Sequence, residues 1–210
     1  MILPDFSFES LAFARGLLRV AGIDEVGRGP LAGPVTAAAV ILNPDRIPKG
    51  LRDSKTLTAA RREALAAELA EVAEVFVAHA RVEEIDRINI LQASLLAMER
   101  AVAGLCVAPD HCLIDGNKIP LGLKGQAEAI VKGDARSLSI AAASIVAKVA
   151  RDRIMVDLAQ QHPGYGWETN AGYPSPAHKK ALLDLGVTPW HRRSFKPVHN
   201  ILYQDISLTH

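Results

Sequence analysis

Apolar positions along this chain fall into short runs bounded by turn formers, alternating with longer stretches where they recur every three or four residues. Leu17 to Ile23 and Val35 to Leu42 are strand-like runs separated by a glycine- and proline-rich segment, which predicts a β-hairpin over residues 17–42. Asn43 to Lys55 predicts a loop. Thr58 is placed to cap a helix, dense in Ala, Glu and Leu, that runs to about Val72. Val75 to Ala80 predicts a strand. From Asn89 to Gly104, Leu91, Leu95, Met98 and Val102 keep helical spacing, and Gly104 suits the stop. His111 to Ile114 and Ala129 to Val131 predict two further short strands. Ser137 or Ser139 then opens a long helix to about Gln161, closed by Pro163-Gly164. A loop with Gly, Tyr, Trp and Pro leads to a last helix, Pro176 to Leu185, and a basic tail. Interleaved strands and helices predict an α/β fold, a central sheet with helices packed on it. With no internal repeat or low-complexity linker, one domain over residues 1–210 is expected, the segment from about 176 to 210 packing on it as helix and tail.

Composition narrows this picture. Hydrophobic residues make up 49% of the 210 and aromatic residues only 5%, so the core is built mainly from Ala, Leu, Val and Ile. No apolar stretch is long enough to span a bilayer, and the N-terminus lacks the pattern of a signal peptide. Cys106 and Cys112 have no metal-ligand company nearby and fit a reducing compartment, so the cytoplasm is the expected location. A net charge of +1 gives no bulk signal of nucleic-acid binding. Locally the balance differs: Lys179, Lys180, Arg192, Arg193 and Lys196 face a single acid, Asp184, between His178 and Lys196.

Candidate chemistry appears where apolar strands end. Three ends carry carboxylates: Ile23-Asp24-Glu25, Leu113-Ile114-Asp115-Gly116-Asn117 and Val131-Lys132-Gly133-Asp134. Taken singly, Asp24-Glu25 reads equally as a solvated acidic turn, and Asp115 or Asp134 alone reads more readily as structural, Asp-Gly being a common hairpin turn. Brought to one side of a sheet, they gather four carboxylates in one pocket. Adjacent buried carboxylates repel each other and lose hydration, so they call for a compensating cation or solvent. Without a His or Cys cluster, the donors select Mg²⁺ or Mn²⁺ over zinc. A carboxylate shared by two such ions gives the arrangement used for in-line phosphoryl displacement.

These residues resemble a family. Gly-Ile-Asp-Glu-Val-Gly-Arg-Gly-Pro-Leu-Ala-Gly-Pro, the Leu-Ile-Asp-Gly-Asn turn, and Lys-Gly-Asp followed by Ser-Ile-Ala-Ala-Ala-Ser-Ile-Val-Ala-Lys-Val are similar to bacterial ribonuclease HII. Gly-Tyr-Pro-Ser and Trp-His-Arg-Arg-Ser-Phe continue the likeness, which runs from about Val20 to Pro197. The resemblance implies an RNase H-like fold with a mixed sheet flanked by helices and a C-terminal helical extension. It implies Asp24, Glu25, Asp115 and Asp134 as catalytic metal ligands, with Asp24 bridging two ions. The implied substrates are RNA–DNA hybrids and duplex DNA carrying ribonucleotides. The loop Gly27-Arg28-Gly29 would meet the ribonucleotide's 2′-OH, and Tyr173 would stack on the sugar that follows. Ser54, Lys55, Ser144 and Lys148 are implied contacts to the nucleic-acid backbone. Arg28 between glycines separates the chain from ribonuclease HIII, whose loop typically reads Gly-Thr-Gly. Two positions depart from the pattern: Ser175 stands where Thr is expected, and Thr56 where a second Lys commonly follows Lys55.

Other features stay open at this level. Ser144, Lys148 and Arg151 or Asp152 form one polar ridge on the long helix, which reads as a solvated face or as a phosphate contact. His191, Arg192 and Arg193 read as a substrate-facing patch or as a buried ion-pair cluster that anchors the tail. Residues 200–210 carry no recognisable clamp-binding motif, and a monomer is expected. Two alternatives compete with a nuclease: a non-catalytic nucleic-acid-binding module, and a small-molecule phosphohydrolase. The first would gain nothing from four repelling carboxylates. The second would want Asp-x-Asp after the first strand, where this chain has Asp24-Glu25 adjacent.

Overall fold

A computed structural model describes residues 3–203. Five strands form one sheet: β1 (Val20–Val26), β2 (Val35–Ile41), β3 (Glu74–Ala80), β4 (His111–Asp115) and β5 (Ala127–Ile130), in the order β3-β2-β1-β4-β5. β1 pairs antiparallel with β2 and parallel with β4, and β4 pairs parallel with β5, so the sheet is mixed. The helices are α1 (Ser7–Ala14), α2 (Ala59–Val72), α3 (Val82–Ala103), α4 (Leu138–Gln161), α5 (Trp167–Asn170), α6 (Pro176–Leu185) and α7 (Lys196–Tyr203).

The described chain gathers into two compact units. One comprises the residues up to Val26, Thr36–His79 and Ser94–Ala150; the other comprises Gly27–Val35, Ala80–Ala93 and the residues from Arg151 onward. In the first unit, β1 lies inside the sheet and residues 20–24 are buried, which explains an apolar run with no alternation. Ala38 and Val40 of β2, Leu65 and Leu69 of α2, and Ala141 and Ile145 of α4 share a core. Small side chains let α4 come close to the sheet. At Gly22 a Cβ would stand 2.1 Å from the carbonyl carbon of Ser139, so only glycine fits where β1 meets the start of α4. In the second unit, Leu31, Met155, Leu158, Trp167 and Leu182 form a separate core.

The predicted hairpin, the Thr58 cap, the long fourth helix and the Pro176–Leu185 helix are all present; Thr58 Oγ1 accepts from the Arg61 amide. The fifth strand is Ala127–Ile130 rather than Ala129–Val131. The third helix begins at Val82 and breaks at Asn89 (φ 66°), whose side chain accepts from the amides of Leu91 and Gln92. The sequence signal at Asn89 was therefore an internal cap. The loop Asn43 to Lys55 contains 3-10 turns at Pro44–Arg46 and, at its end, Ser54–Thr56.

Three helices, α1, α5 and α7, lie outside any predicted element. In α1 the buried Glu9 accepts from Ser137 Oγ (2.6 Å) and the Ser139 amide (2.9 Å), while Ala12 packs with Val20, Leu113 and Ile140. α7 begins in the basic tail, and Val198 is its buried contact. Of the tail searched for a clamp motif, residues 204–210 lie outside the described residues.

Candidate active site

Asp24 follows Ile23 on β1 and Asp115 follows Ile114 on β4. Ile23 and Ile114 are paired in parallel register, so the two carboxylates leave adjacent strands at the same level. β5 brings the next one: Ile130 pairs with Asp115, Lys132 turns through a left-handed conformation (φ 55°), and Asp134 follows in the 3-10 turn Gly133–Ala135. Asp115 Oδ1 accepts the Gly133 amide at 2.6 Å. Glu25 stands beside Asp24 on β1, and its amide donates to Asp24 Oδ1 at 2.7 Å.

This grouping is electrostatically expensive. Asp24 is only 6% exposed, and burial raises its carboxyl well above the usual range. The charges of Glu25, Asp115 and Asp134 push the same way, and the bond from the Glu25 amide offsets them only in part. Burial likewise pushes Asp134 up to about 6, with Asp115 and Asp53 adding and Lys55 opposing. Lys55 Nζ lies 3.8 Å from Asp134 Oδ2 and 4.0 Å from Asp53 Oδ1. Burial disfavours the Lys55 charge, yet Asp53, Asp134, Asp24 and Asp115 together hold its pKa above the ordinary lysine value. Asp53, which also shares a hydrogen bond with Asp134, was not singled out by sequence reasoning. Its position two residues before Lys55 was the available signal.

The donor set suits a hard divalent cation, because every candidate ligand is a carboxylate oxygen. Among the described residues, no three His, Cys, Asp or Glu side chains already converge as a metal-binding group. Asp24 and Asp115 each accept a backbone amide on one oxygen. A dication would relieve the repulsion that burial amplifies.

Ser144 and Ser54 are both buried, and the Ser144 hydroxyl donates to Ser54 Oγ at 2.8 Å. The bond ties the turn carrying Lys55 to α4. Lys148, one turn further along α4, is half-buried.

In the second unit, Gly27, Arg28 and Gly29 open a loop whose carbonyls face a buried guanidinium. Arg192, fully buried, donates to the carbonyls of Gly27 (2.6 Å), Pro30 (2.9 Å), Gly33 (3.0 Å) and Arg28 (3.1 Å). Arg151 is equally buried and donates to the carbonyls of Pro34, Ala171 and Ala32. Burial lowers both, Arg192 to about 9 and Arg151 to about 10. The polar ridge on α4 therefore divides, since Arg151 belongs to no solvated face. Arg192 is buried rather than substrate-facing: its hydrogen bonds run to backbone oxygens, its guanidinium lies 5.1 Å from the centre of the Phe195 ring, and the charge of Asp86 acts on it. Arg193 is exposed, and its amide donates to Asp86.

Tyr173 is 43% exposed, and its ring lies 3.4 Å from where a Cβ on Gly29 would be. Its carbonyl meets His178 Nδ1 at 2.9 Å. His178 Nε2 receives Trp167 Nε1 (3.0 Å) and meets His191 Nε2 (3.1 Å), and His191 Nδ1 accepts the Thr188 amide (3.0 Å). Those partners assign neutral rings, with a proton on His178 Nδ1 and on His191 Nε2. Burial, then the neighbouring His178, lowers His191 to about 3. Ser175 caps α6 by accepting the His178 amide, so the hydroxyl that stands where Thr was expected has a structural task.

Residues 21–198 match a protein-family model described as ribonuclease HII. A protein named ribonuclease HII from Cereibacter sphaeroides (strain ATCC 17025 / ATH 2.4.3) is 73% identical over 206 residues, 98% of this chain and 97% of that protein. The crystal structure of ribonuclease H2 from Pyrococcus horikoshii OT3 is similar with a TM-score of 0.75 and 28% identity, covering 90% of this chain and 99% of that one. A chain in the structure of the PCNA:RNase HII complex from Archaeoglobus fulgidus gives a TM-score of 0.69 at 29% identity, covering 87% of this chain and 96% of that one.

Proposed function

Because the chain belongs to the ribonuclease HII family, we propose that this ribonuclease H hydrolyses the RNA strand of RNA–DNA hybrids and incises duplex DNA 5′ to embedded ribonucleotides. Cleavage leaves a 3′-OH and a 5′-phosphate. The observation that carries the reading is the placement of Asp24, Asp115 and Asp134, with Glu25 alongside, at neighbouring strand ends, where burial and the other three charges together raise Asp24.

Asp24, Glu25, Asp115 and Asp134 would hold the two Mg²⁺ or Mn²⁺ ions, since all four offer carboxylate oxygens. When bound, such ions polarise the phosphodiester, lower the pKa of the attacking water and stabilise the leaving 3′-oxygen. Lys55 keeps its proton beside the carboxylates and offers the scissile strand a cation. Lys148, Ser54 and Ser144 meet backbone phosphates. The loop Gly27-Arg28-Gly29 reads the 2′-OH, and Tyr173 stacks on the following sugar. The two units serve as one catalytic domain over residues 1–210. The enzyme works as a cytoplasmic monomer; no described helix is long and apolar enough to cross a membrane.

The test is cleavage of a duplex with one ribonucleotide, with and without Mg²⁺ or Mn²⁺. A metal-dependent cut on the 5′ side is expected. Binding without cutting would mean a non-catalytic module, and hydrolysis of small phosphate esters alone would mean a phosphohydrolase.

A further inference from the structure

Burying an arginine costs several kcal/mol unless its donors are satisfied. The loop that follows β1 is built on two of them, and the hydrogen bonds of both run to backbone carbonyls. What those bonds do to the loop follows from peptide geometry. In a trans peptide the C=O of one residue and the N–H of the next point opposite ways. Arg192 holds the carbonyls of Gly27 and Arg28, so the amides of Arg28 and Gly29 are turned to the other side of the loop. The same rule is visible one step on, where Arg192 takes the Pro30 carbonyl and the opposed Leu31 amide donates to Gly172 at 2.7 Å. Arg151 takes the Ala171 carbonyl as well as that of Ala32, which ties the turn before Tyr173 to the loop. At Gly27 (φ 92°) a Cβ would lie 2.2 Å from Arg151 Nε, so the backbone rests directly on the guanidinium.

We infer that Arg192, with Arg151, is a positioning residue for ribose selectivity: by holding the Gly27 and Arg28 carbonyls it aims the Arg28 and Gly29 amides at the ribonucleotide's 2′-oxygen. The inference rests on the proposed reading of that loop and deepens it. The task requires arginine, because only a planar fork with five donors can satisfy four carbonyls from one buried point. Lysine keeps the charge and loses the fork.

The experiment uses the full chain carrying Asp24→Asn, which binds without cutting. Affinities are measured for two duplexes of one sequence, one with a single ribonucleotide and one all DNA. Adding Arg192→Lys should lower the ratio of the two affinities about tenfold, the loss of one or two hydrogen bonds from the loop amides to the 2′-oxygen. Affinity for the all-DNA duplex should hold within about twofold, since phosphate contacts do not use the loop amides. An unchanged ratio, or equal losses on both duplexes, overturns the inference. If the lysine variant does not fold, amide exchange in the Asp24→Asn chain decides: Arg28 and Gly29 should slow on the ribonucleotide duplex and not on DNA alone. No difference between the two overturns it. An Asp24→Asn chain that shows no preference for the ribonucleotide, from an unmutated chain that does not cut it, overturns the proposed function instead.

Discussion

Asp115 Oδ1 holds the amide of Gly133 at 2.6 Å, so the carboxylate ending β4 fixes the turn that presents Asp134. One candidate ligand positions another through a single backbone bond. A Cβ at Gly133 would fall 2.5 Å from Ile140 Cδ1 and 3.3 Å from Asp115 Oδ1. The isoleucine end can swing away; the carboxylate can move only by weakening its bond. Gly133→Ala should therefore reduce turnover at saturating Mg²⁺ by about tenfold or more while costing roughly 1–3 kcal/mol of stability. Parallel kinetics and denaturant titrations check this, and unaltered turnover would show that the bond orients nothing of consequence.

Replacing Asp24, Asp115 or Asp134 by Asn should nearly abolish cleavage and leave the fold intact. An amide of the same shape ligates Mg²⁺ poorly, yet it removes a charge that burial and its neighbours oppose. In EDTA, the variants at Asp24 and Asp134 should melt at or above the temperature of the parent. Normal turnover in Asp24→Asn would end the two-ion proposal.

Protonation should act on the two units with opposite sign. Asp134 stands at about 6 in the folded chain against an ordinary 3.8, and Asp24 is displaced the same way, so the folded form keeps protons that the unfolded form has released. That stabilisation is complete below about 3.8 and is lost as pH rises through about 6. His191 stands at about 3 against 6.5, with His178 also lowered, so here the unfolded form takes the protons first. Its contribution is complete above about 6.5 and drains away toward pH 3. Native-state hydrogen exchange in EDTA between about pH 6.5 and 4 should show amides near Asp24 gaining protection as those near His178 lose it. Mg²⁺ should reverse the first trend, because it binds ionised carboxylates. Protection that rises with pH in both places without metal would refute the assignment.

Tyr173→Ala should reduce cleavage at a single ribonucleotide more than cleavage of a long hybrid, where many registers can bind. Stacking of this kind is worth about 1–3 kcal/mol, hence a loss of roughly tenfold to a hundredfold. Both substrates are compared under saturating Mg²⁺. Equal losses would leave the ring, packed near Gly29, as a loop anchor alone.

The candidate ligands were legible because chemistry and periodicity coincide in them: an apolar run ends, and an acid follows. Asp24, Asp115 and Asp134 needed only the parallel pairing of Ile23 with Ile114, and of Asp115 with Ile130, to meet. Arg151 and Arg192 were opaque for the opposite reason. Arginine is normally a surface residue, and nothing in its neighbours along the chain shows that backbone carbonyls distant in sequence will surround it. Glu9 was hidden likewise, since its partners lie far along the chain. The break at Asn89 was half legible: a good N-cap marks where a helix starts, but not whether another turn of helix precedes it.

The bond from Glu9 bears on the order in which the chain can fold. The partners of Glu9, Ser137 and Ser139, stand 128 and 130 positions further along the chain. During synthesis the helix that carries it must wait, solvated, until β1, β4, β5 and the start of α4 have emerged. Closing so long a loop costs entropy that only the finished sheet can repay. The helix that carries Glu9 is thus a closing piece, made well before its partners and among the last elements to find its place.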